Sequence, residues 1–345
     1  MRSLKIDAKH GRIYASGPMA SLLVRRMPGA YHDRNAQVRG GGPTVHLSLT
    51  LDTLRDMKTA LRMTSQELAA CCTEPVMRWA RAANTLERDV AAVHDRIAAR
   101  RFVPLPWEDH VHDPPYAPYE HQRVMATVAV DIPGAAFLCE MGTAKTRSAI
   151  EAVAEMIRRS KVDVVFVVCP NSVTGTWAKE IPMWTRTLKA VRLPGTVRER
   201  AATIHRLTQD NYVRGTTFLL NYEVLDKLKD DILAVAARLR IAVIFDEGHR
   251  IRNSTAKVTK AAMKIAAAAP WRLLMTGTPI VNGIENIWSQ WYVVDLGIAF
   301  GANYVQFRRE FFEENAYTFT LDPLENTAAE VNKRIRRRGV RYKKS

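Results

Sequence analysis

Apolar stretches alternate with helical patterns over the C-terminal two thirds of the chain. The apolar runs lie at residues 135–139, 162–169, 217–220, 241–245 and 272–275. Runs of this length, rich in β-branched residues, are typical of strands buried on both faces, and helical stretches separate them. The pattern therefore predicts an α/β fold with a mostly parallel sheet covered by helices on both sides.

The part of the chain before this pattern predicts accessory structure. Residues 1–62 alternate short strand and helix patterns and predict a small α+β module. Residues 63–103 are polar and alanine-rich, which predicts a helical linker unit with a break near Pro75. Five prolines at 104–118 exclude a helix and indicate a second linker. The α/β domain is then expected at 119–320, followed by a basic segment at 321–345.

Charge indicates a polyanionic partner. The formal net charge is +16. Positive side chains in such excess repel one another unless nucleic acid or another polyanion lies near them. A general basic bias is the alternative. The basic run that begins at Asn332 predicts either a solvated tail or a segment that binds phosphates.

The cysteine content and the hydropathy of the chain indicate the cellular compartment in which the protein is expected. Four cysteines without C-x-x-C spacing make a disulfide framework or a zinc site improbable. The apolar runs are too short to span a bilayer, and the N-terminus lacks a signal-peptide pattern. We expect a cytoplasmic protein, and the alanine and arginine content is typical of a GC-rich bacterial or phage genome.

The segment EMGTAKT at 140–146 has the features of a phosphate loop. It follows an apolar strand and begins a helical pattern, so backbone N–H groups and the helix dipole favour phosphate there. Lys145 would contact the β- and γ-phosphates, and the Thr146 hydroxyl would contact Mg²⁺. Cys139 and Ala144 occupy the two glycine positions of the generic pattern, so an ordinary strand-turn-helix is the alternative.

A pair of acids ends the strand at 241–245. Asp246 and Glu247 follow this run about 100 residues after the phosphate loop, at the end of a strand where open α/β sheets place their ligands. One carboxylate can hold Mg²⁺ while its neighbour polarises the attacking water. The two motifs together predict phosphoryl transfer.

Three segments together resemble a known family, the Swi2/Snf2-type ATPases of helicase superfamily 2, over residues 119–345. Residues 140–146 look like its motif I, D-E-M-G-x-G-K-T, and DEGHRIRN at 246–253 is similar to D-E-[AG]-H-x-[IL]-[KR]-N. LMTGTPI at 274–280, with Asn282, Glu285 and Trp288, is similar to L-T-G-T-P-x-x-N-x-x-x-E-[LI]-W. CPNSV at 169–173, with Trp177 and Glu180, looks like motif Ia, and NYE at 221–223 resembles the T-Y-E element.

The resemblance implies roles for individual residues. ATP contacts are implied for Gln122, Met141, Gly142, Thr143, Ala144, Lys145 and Thr146. Catalysis is implied for Lys145, Asp246 and Glu247, and Mg²⁺ contacts for Thr146 and Asp246. DNA contacts are implied for Pro170, Asn171, Ser172, Asn221 and Tyr222, and coupling between the ATP and DNA sites for His249, Thr276, Gly277, Thr278 and Pro279.

The family also implies an activity, namely ATP hydrolysis that drives tracking along double-stranded DNA by two RecA-like lobes. The sequence carries the motifs of the first lobe, while the arginines that complete the site come from the second. We therefore expect that a second lobe is supplied by a longer chain or by another polypeptide, or that the protein binds without efficient turnover.

The N-terminal module weakly resembles a second known unit. Residues 27–33 and 44–49 resemble the HARP-type module of annealing helicases, although its usual tryptophan is absent. Branched DNA becomes the expected substrate on this interpretation, and a generic α+β module is the alternative.

Two other functions remain open. A basic DNA-binding protein could use ATP as a ligand or switch without efficient hydrolysis. A small-molecule P-loop kinase is the third hypothesis, and both the long acidic motif and the net charge of +16 oppose it.

Overall fold

The computed structural model describes residues 4–9, 12–17, 19–32, 44–105, 117–209, 213–277, 283–314 and 321–343. Most of the predicted linker at 104–118 lies outside these residues, as do Thr278 and Pro279. Contacts divide the chain into two compact units, which are Met1–Asp89 with Leu296–Ile335, and Val90–Asp295 with Arg336–Ser345.

This division differs from the boundaries expected from the sequence. Residues 296–320 were expected to belong to the α/β domain, but the described residues 296–314 pack with the N-terminal segment in the first unit. The Gln306 amide, for example, donates to the Gly29 carbonyl at 2.6 Å. Contacts between segments so distant in sequence leave no local pattern from which the boundary could be predicted.

The first unit contains a four-stranded antiparallel sheet with the order β1-β2-β4-β3. Its strands are Lys5–Lys9, Arg12–Ser16, Tyr31–His32 and Thr44–Ser48. The helices α1 (Ala20–Arg26), α2 (Leu51–Ala60) and α3 (Ser65–Cys71) accompany it. The next helix, α4 (Glu74–Ala98), belongs to this unit up to Asp89 and to the second unit from Val90. Thr64 and Glu67 form the capping box that begins α3.

The C-terminal part of the first unit corrects one prediction about the basic segment. It contains α12 (Tyr304–Phe311), the hairpin β11 (Phe312–Glu314) and β12 (Leu321–Pro323), and α13 (Thr327–Arg336). Arg334 is only 4% exposed, and it pairs with Glu310 at 3.1 Å and with Glu330 at 2.8 Å. The basic run is therefore not a uniformly solvated tail, because Arg334 is buried and neighbouring carboxylates neutralise its charge.

The second unit is built on a seven-stranded sheet with the order β13-β5-β10-β9-β6-β8-β7, and the pairings that join these strands are parallel. This confirms the predicted α/β class. The strands are β5 (Ala135–Phe137), β6 (Val164–Cys169), β7 (Lys189–Arg192), β8 (Thr216–Asn221), β9 (Ile241–Asp246), β10 (Trp271–Met275) and β13 (Gly339–Val340).

Helices cover this sheet and exclude water from its central strands. They are α5 (Glu120–Asp131), α6 (Lys145–Arg158), α7 (Asn171–Trp184), α8 (Val197–Gln209), α9 (Tyr222–Ala236), α10 (Lys257–Ala268) and α11 (Ile287–Asp295). Every residue of β6 and β9 is buried, which explains their unbroken apolar sequences. In the described part of the chain, no helix is long and apolar enough to cross a membrane.

Candidate functional site

The predicted motifs meet at the carboxyl edge of the parallel sheet. β5 leads into the phosphate loop, its neighbour β10 leads into Thr276 and Gly277, and β9 delivers Asp246 and Glu247. β6 and β8 come next in the sheet and lead into Asn171 and Tyr222. The strand order therefore places the candidate nucleotide residues beside the candidate DNA residues.

The phosphate loop is held together by its own hydrogen bonds. The Lys145 ammonium donates to the carbonyls of Cys139 at 2.8 Å and Glu140 at 3.0 Å. The Thr143 hydroxyl donates to the Glu140 carbonyl at 2.8 Å. Gly142 has a φ of +79°, and α6 begins at Lys145, directly after the loop. A loop of this form directs the backbone N–H groups at the N-terminus of the following helix towards an anion.

Ala144 adopts a left-handed backbone conformation, with φ of +57° and ψ of +37°. This is the position where the sequence departs from a glycine-containing pattern. An L-residue pays a steric penalty in this conformation that glycine avoids. Alanine at this position therefore keeps the geometry of the loop but adds strain to its backbone.

Replacing Ala144 with glycine should stabilise the protein. We expect the free energy of unfolding to rise by about 0.5–1 kcal/mol, because the left-handed strain of about 1–2 kcal/mol exceeds the extra unfolded-chain entropy of glycine. Chemical denaturation measures the change. The matched control is Ala82→Gly at an exposed interior position of α4, where the same substitution should lower the stability by about 0.5–1 kcal/mol. A loss of stability in both variants would contradict the strain.

Asp246 is a buried carboxylate with defined partners. It is 6% exposed, and its Oδ2 accepts a hydrogen bond from the Trp177 indole at 2.9 Å. Its Oδ1 accepts from the Glu247 backbone N–H at 3.0 Å. Burial raises the pKa of the Asp246 carboxyl, while the Trp177 hydrogen bond and the Lys145 charge oppose the rise. The structure thus brings Lys145 and Asp246 into one electrostatic environment.

Glu247 also has a left-handed backbone, with a φ of +52°. Its side chain is 21% exposed and lies 3.3 Å from the Nδ1 atom of His249. The next residue, Gly248, begins the short helix Gly248–Ile251, and a Cβ there would meet the buried Leu274 side chain at 2.2 Å. The sharp turn after β9 separates Glu247, which is partly exposed, from Asp246, which is buried.

Thr276 and Gly277 lie against the phosphate loop. The Thr276 backbone N–H donates to the Phe137 carbonyl at 3.0 Å, and Thr276 is fully buried. A Cβ on Gly277 would lie 3.6 Å from the Cys139 carbonyl oxygen. This part of the predicted coupling motif therefore lies against the loop at 140–146, whereas Thr278 and Pro279 lie outside the described residues.

Gln122 occupies a capping position at the start of α5. It is 2% exposed, and its Oε1 accepts a hydrogen bond from the Tyr119 backbone N–H at 2.7 Å. Capping accounts for its burial without a ligand. The expected contact of Gln122 with ATP stays a prediction.

The candidate DNA residues differ in exposure. Asn171 and Ser172 are exposed at the start of α7, whereas Pro170 is buried. The Asn221 amide donates to the Asn171 Oδ1 atom at 3.5 Å, which joins the ends of β6 and β8. Tyr222 is 4% exposed, and its hydroxyl donates to the Asp246 carbonyl at 2.8 Å. A DNA contact by the Tyr222 side chain is therefore not supported, because the ring is buried within the unit.

A cavity of about 390 Å³ lies beside Asn171 and Asn221. Two arginines that the sequence analysis did not identify line it, and its lining contains no acidic residue. Only their clustering in the fold distinguishes these arginines from the many others in the chain. The lining residues are Asn171, Thr174, Arg192, Leu193, Pro194, Arg200, Leu219 and Asn221.

Trp177 is a further candidate site residue, which the sequence analysis named only as part of a motif. Its side chain is 1% exposed and donates directly to Asp246. Its place in the motif at 169–180 gave a signal, but a buried tryptophan on a helix is usually a core residue. The hydrogen bond to a carboxylate from another strand is visible only in three dimensions.

The residues present suit Mg²⁺ bound together with a nucleotide. Mg²⁺ in such sites takes one or two carboxylates, a hydroxyl and phosphate oxygens, and keeps several waters. Asp246 and Thr146 offer a carboxylate and a hydroxyl of this kind. Among the described residues no group of three His, Cys, Asp or Glu side chains could hold a metal ion, and a nucleotide-bound Mg²⁺ does not need one.

Comparison with known proteins identifies relatives of this chain. The family profile described as SNF2-related domain matches residues 57–335. The human protein "DNA excision repair protein ERCC-6-like" is 32% identical over 154 residues, which cover 44% of this chain and 12% of that protein. "ATP-dependent helicase brm" of Drosophila melanogaster is 34% identical over 155 residues, which cover 44% of this chain and 9% of that protein. The chain thus matches only a small part of each relative.

A solved structure has a similar fold. It is described as "Sulfolobus solfataricus SWI2/SNF2 ATPase core in complex with dsDNA", and the two folds superpose with a TM-score of 0.51 at 19% sequence identity. The match covers 65% of this chain and 44% of that one. The similarity is one of fold.

Proposed function

Since this chain belongs to the family of SNF2-related domains, we propose that it is the ATP-binding first lobe of a DNA-dependent ATPase and translocase. Double-stranded or branched DNA is the proposed substrate, and ATP with Mg²⁺ the proposed cofactor pair. The observation that carries the proposal is the strand order β5-β10-β9-β6-β8. This order supports a nucleotide site and a DNA site that are neighbours on one edge of one sheet.

The chemistry assigned to this lobe is positioning and electrostatic stabilisation. The loop at 140–146 would hold the phosphates, and the Lys145 ammonium would exchange its two carbonyl partners for phosphate oxygens. Thr146 and Asp246 would hold Mg²⁺, which neutralises the charge that develops on the phosphoryl oxygens. Glu247 would orient the attacking water from its partly exposed position.

Coupling between the two sites would pass through the turn after β10. Thr276 and Gly277 lie against the phosphate loop, and His249 lies beside Glu247. Thr278 and Pro279 would continue this path. The described residues contain one seven-stranded unit of this kind, and we propose that full turnover uses a second RecA-like lobe that supplies arginines to the transition state.

DNA would contact the edge formed by Asn171, Ser172 and Asn221. The exposed amide and hydroxyl groups suit phosphate and sugar oxygens, and Arg192 and Arg200 add positive charge in the neighbouring cavity. The net charge of +16 supports the same partner. We also propose a cytoplasmic location, which suits four cysteines that are free thiols.

The second candidate function is a DNA-binding protein that uses ATP as a ligand or switch without efficient hydrolysis. The left-handed conformation of Ala144 favours it, because an L-residue keeps the loop in this geometry only at a steric cost that glycine avoids. The two candidate functions differ in whether ATP is hydrolysed efficiently, and both include binding of ATP and DNA.

Hydrolysis and DNA binding by the purified chain test the proposal together. ATP turnover should rise on addition of double-stranded DNA, and the rise should fall steeply with salt. The logarithm of DNA affinity should decrease with the logarithm of salt by about 0.9 per phosphate contact. Nucleotide and DNA binding without turnover would favour the switch, or a second lobe supplied by another polypeptide. A DNA affinity insensitive to salt would contradict a nucleic-acid partner.

A further inference from the structure

Two buried aromatic residues donate hydrogen bonds to Asp246 from different elements. The Trp177 indole N–H lies 2.9 Å from the Asp246 Oδ2 atom, and the Tyr222 hydroxyl lies 2.8 Å from the Asp246 backbone oxygen. Both donors are almost completely buried. Burial raises the pKa of the Tyr222 hydroxyl well above its ordinary value, so it remains a protonated donor.

The two donors belong to the elements that carry the candidate DNA residues. Trp177 lies in α7, which begins with the exposed Asn171 and Ser172. Tyr222 is the first residue of α9 and directly follows Asn221. The Asn171 and Asn221 side chains lie 3.5 Å apart. A ligand that contacts these asparagines therefore contacts both elements that hold Asp246.

We propose that Trp177 and Tyr222 are positioning residues that fix Asp246 for Mg²⁺-nucleotide binding and make its position respond to DNA held at Asn171 and Asn221. This inference rests on the function proposed above and names a route between its two sites. Trp177 fixes the rotation of the carboxylate, and Tyr222 fixes the backbone from which the carboxylate extends.

The geometry explains why both contacts affect the carboxylate. One oxygen accepts from Trp177 and the other from the Glu247 N–H, so the Asp246 carboxylate has a single orientation. Each carboxylate oxygen retains a lone pair for a further ligand. In a buried environment a hydrogen bond is stronger than in water, and it weakens steeply when its donor–hydrogen–acceptor angle falls below about 120°. A tilt of α7 that turns the indole N–H away from the carboxylate would therefore loosen Asp246.

Trp177→Phe isolates the hydrogen bond because it removes the indole N–H and keeps an aromatic ring in the core. The Mg²⁺ concentration that gives half-maximal binding of a fluorescent ATP analogue should rise at least about 10-fold, as for lost outer-shell partners of metal ligands. Binding of the analogue in EDTA should not change. Addition of a short DNA duplex should lower the Mg²⁺ midpoint of the wild type and have little effect on the variant.

Trp184→Phe is the matched control. Trp184 lies on the same helix, and its ring packs against Arg147 at 4.3 Å rather than against Asp246. This variant should keep the wild-type Mg²⁺ midpoint and the wild-type response to DNA. Thermal unfolding of both variants measures the general cost of the smaller ring.

Tyr222→Phe provides a second test with almost no change in shape. It removes only the hydroxyl that reaches the Asp246 carbonyl. We expect a smaller rise of the Mg²⁺ midpoint than for Trp177→Phe, with loss of the response to DNA. If Trp177→Phe does not fold, this variant decides the inference.

The outcomes separate this inference from the function on which it rests. A wild type that binds neither the ATP analogue nor the duplex would overturn both. A wild type that binds both ligands, while Trp177→Phe and Tyr222→Phe keep the Mg²⁺ midpoint and DNA response of Trp184→Phe, would overturn the inference alone. A raised midpoint confined to the Trp177 and Tyr222 variants would support it.

Discussion

Replacing Glu247 with glutamine should lower DNA-stimulated ATP hydrolysis by about 10²- to 10⁴-fold, the range for loss of a side chain that acts on the reacting proton. The substitution keeps the size of the side chain and removes the charge that would polarise water. Glu247 is 21% exposed at the carboxyl end of β9, whereas Asp246 is buried, so only Glu247 is placed to reach a water molecule from solvent. Nucleotide and DNA should still bind, and steady-state hydrolysis with parallel binding measurements checks both parts.

The control for Glu247→Gln is Glu74→Gln. Glu74 is 63% exposed and forms a surface ion pair with Arg81, so its substitution should leave hydrolysis unchanged. Equal hydrolysis by wild type and Glu247→Gln would show that Glu247 does not act on the water, or that the measured activity comes from a contaminant. Where turnover requires a second lobe, the same comparison is made with that lobe added.

Replacing Lys145 with alanine should weaken binding of the ATP analogue by about 10- to 100-fold. Hydrogen bonds to charged groups contribute about 1.5–3 kcal/mol, and each 1.4 kcal/mol corresponds to a factor of ten. Lys145 lies at the first position of α6, where its ammonium reaches the loop carbonyls that a triphosphate would replace. Equilibrium titration of the variant with the fluorescent analogue measures the loss.

Two further measurements make the Lys145 result specific. Lys264→Ala, at an exposed position of α10, removes an equal charge away from the site and should leave nucleotide affinity unchanged. DNA affinity of Lys145→Ala should stay near that of the wild type, since the candidate DNA residues are on other strands. A Lys145→Ala protein that binds nucleotide as tightly as Lys264→Ala would remove the loop at 140–146 from the nucleotide site.

Much of the site was predictable from local sequence. The loop at 140–146, the acids at 246 and 247 and the turn at 276–277 each follow an apolar strand, and parallel strands bring their carboxyl ends to one edge. The resemblance to Swi2/Snf2-type ATPases agrees with the family match over residues 57–335. The HARP-type interpretation of the N-terminal module stays a prediction.

Other features of the fold depend on contacts that join distant parts of the chain. Arg334 looked like one of several charges in a basic run, but it is buried against Asp52, Glu310 and Glu330. Tyr222 was expected to contact DNA, and the structure shows in addition that its hydroxyl donates to the Asp246 carbonyl across the fold. Residues 339–340 add a parallel strand beside β5, where the sequence indicated only a basic connection.

The sequence alone determined the alternation of buried strands and helices, the order of the motifs and the identity of the charged groups. The spacing of apolar residues and of motifs along the chain is a local property, so it can be read from the sequence. The tertiary structure decided which groups touch. It placed Trp177 on Asp246, gave Ala144 a left-handed backbone and grouped residues 296–335 with the N-terminal segment. Those outcomes depend on packing between residues far apart in the chain, and the energy of such packing cannot be predicted from a single segment of the sequence.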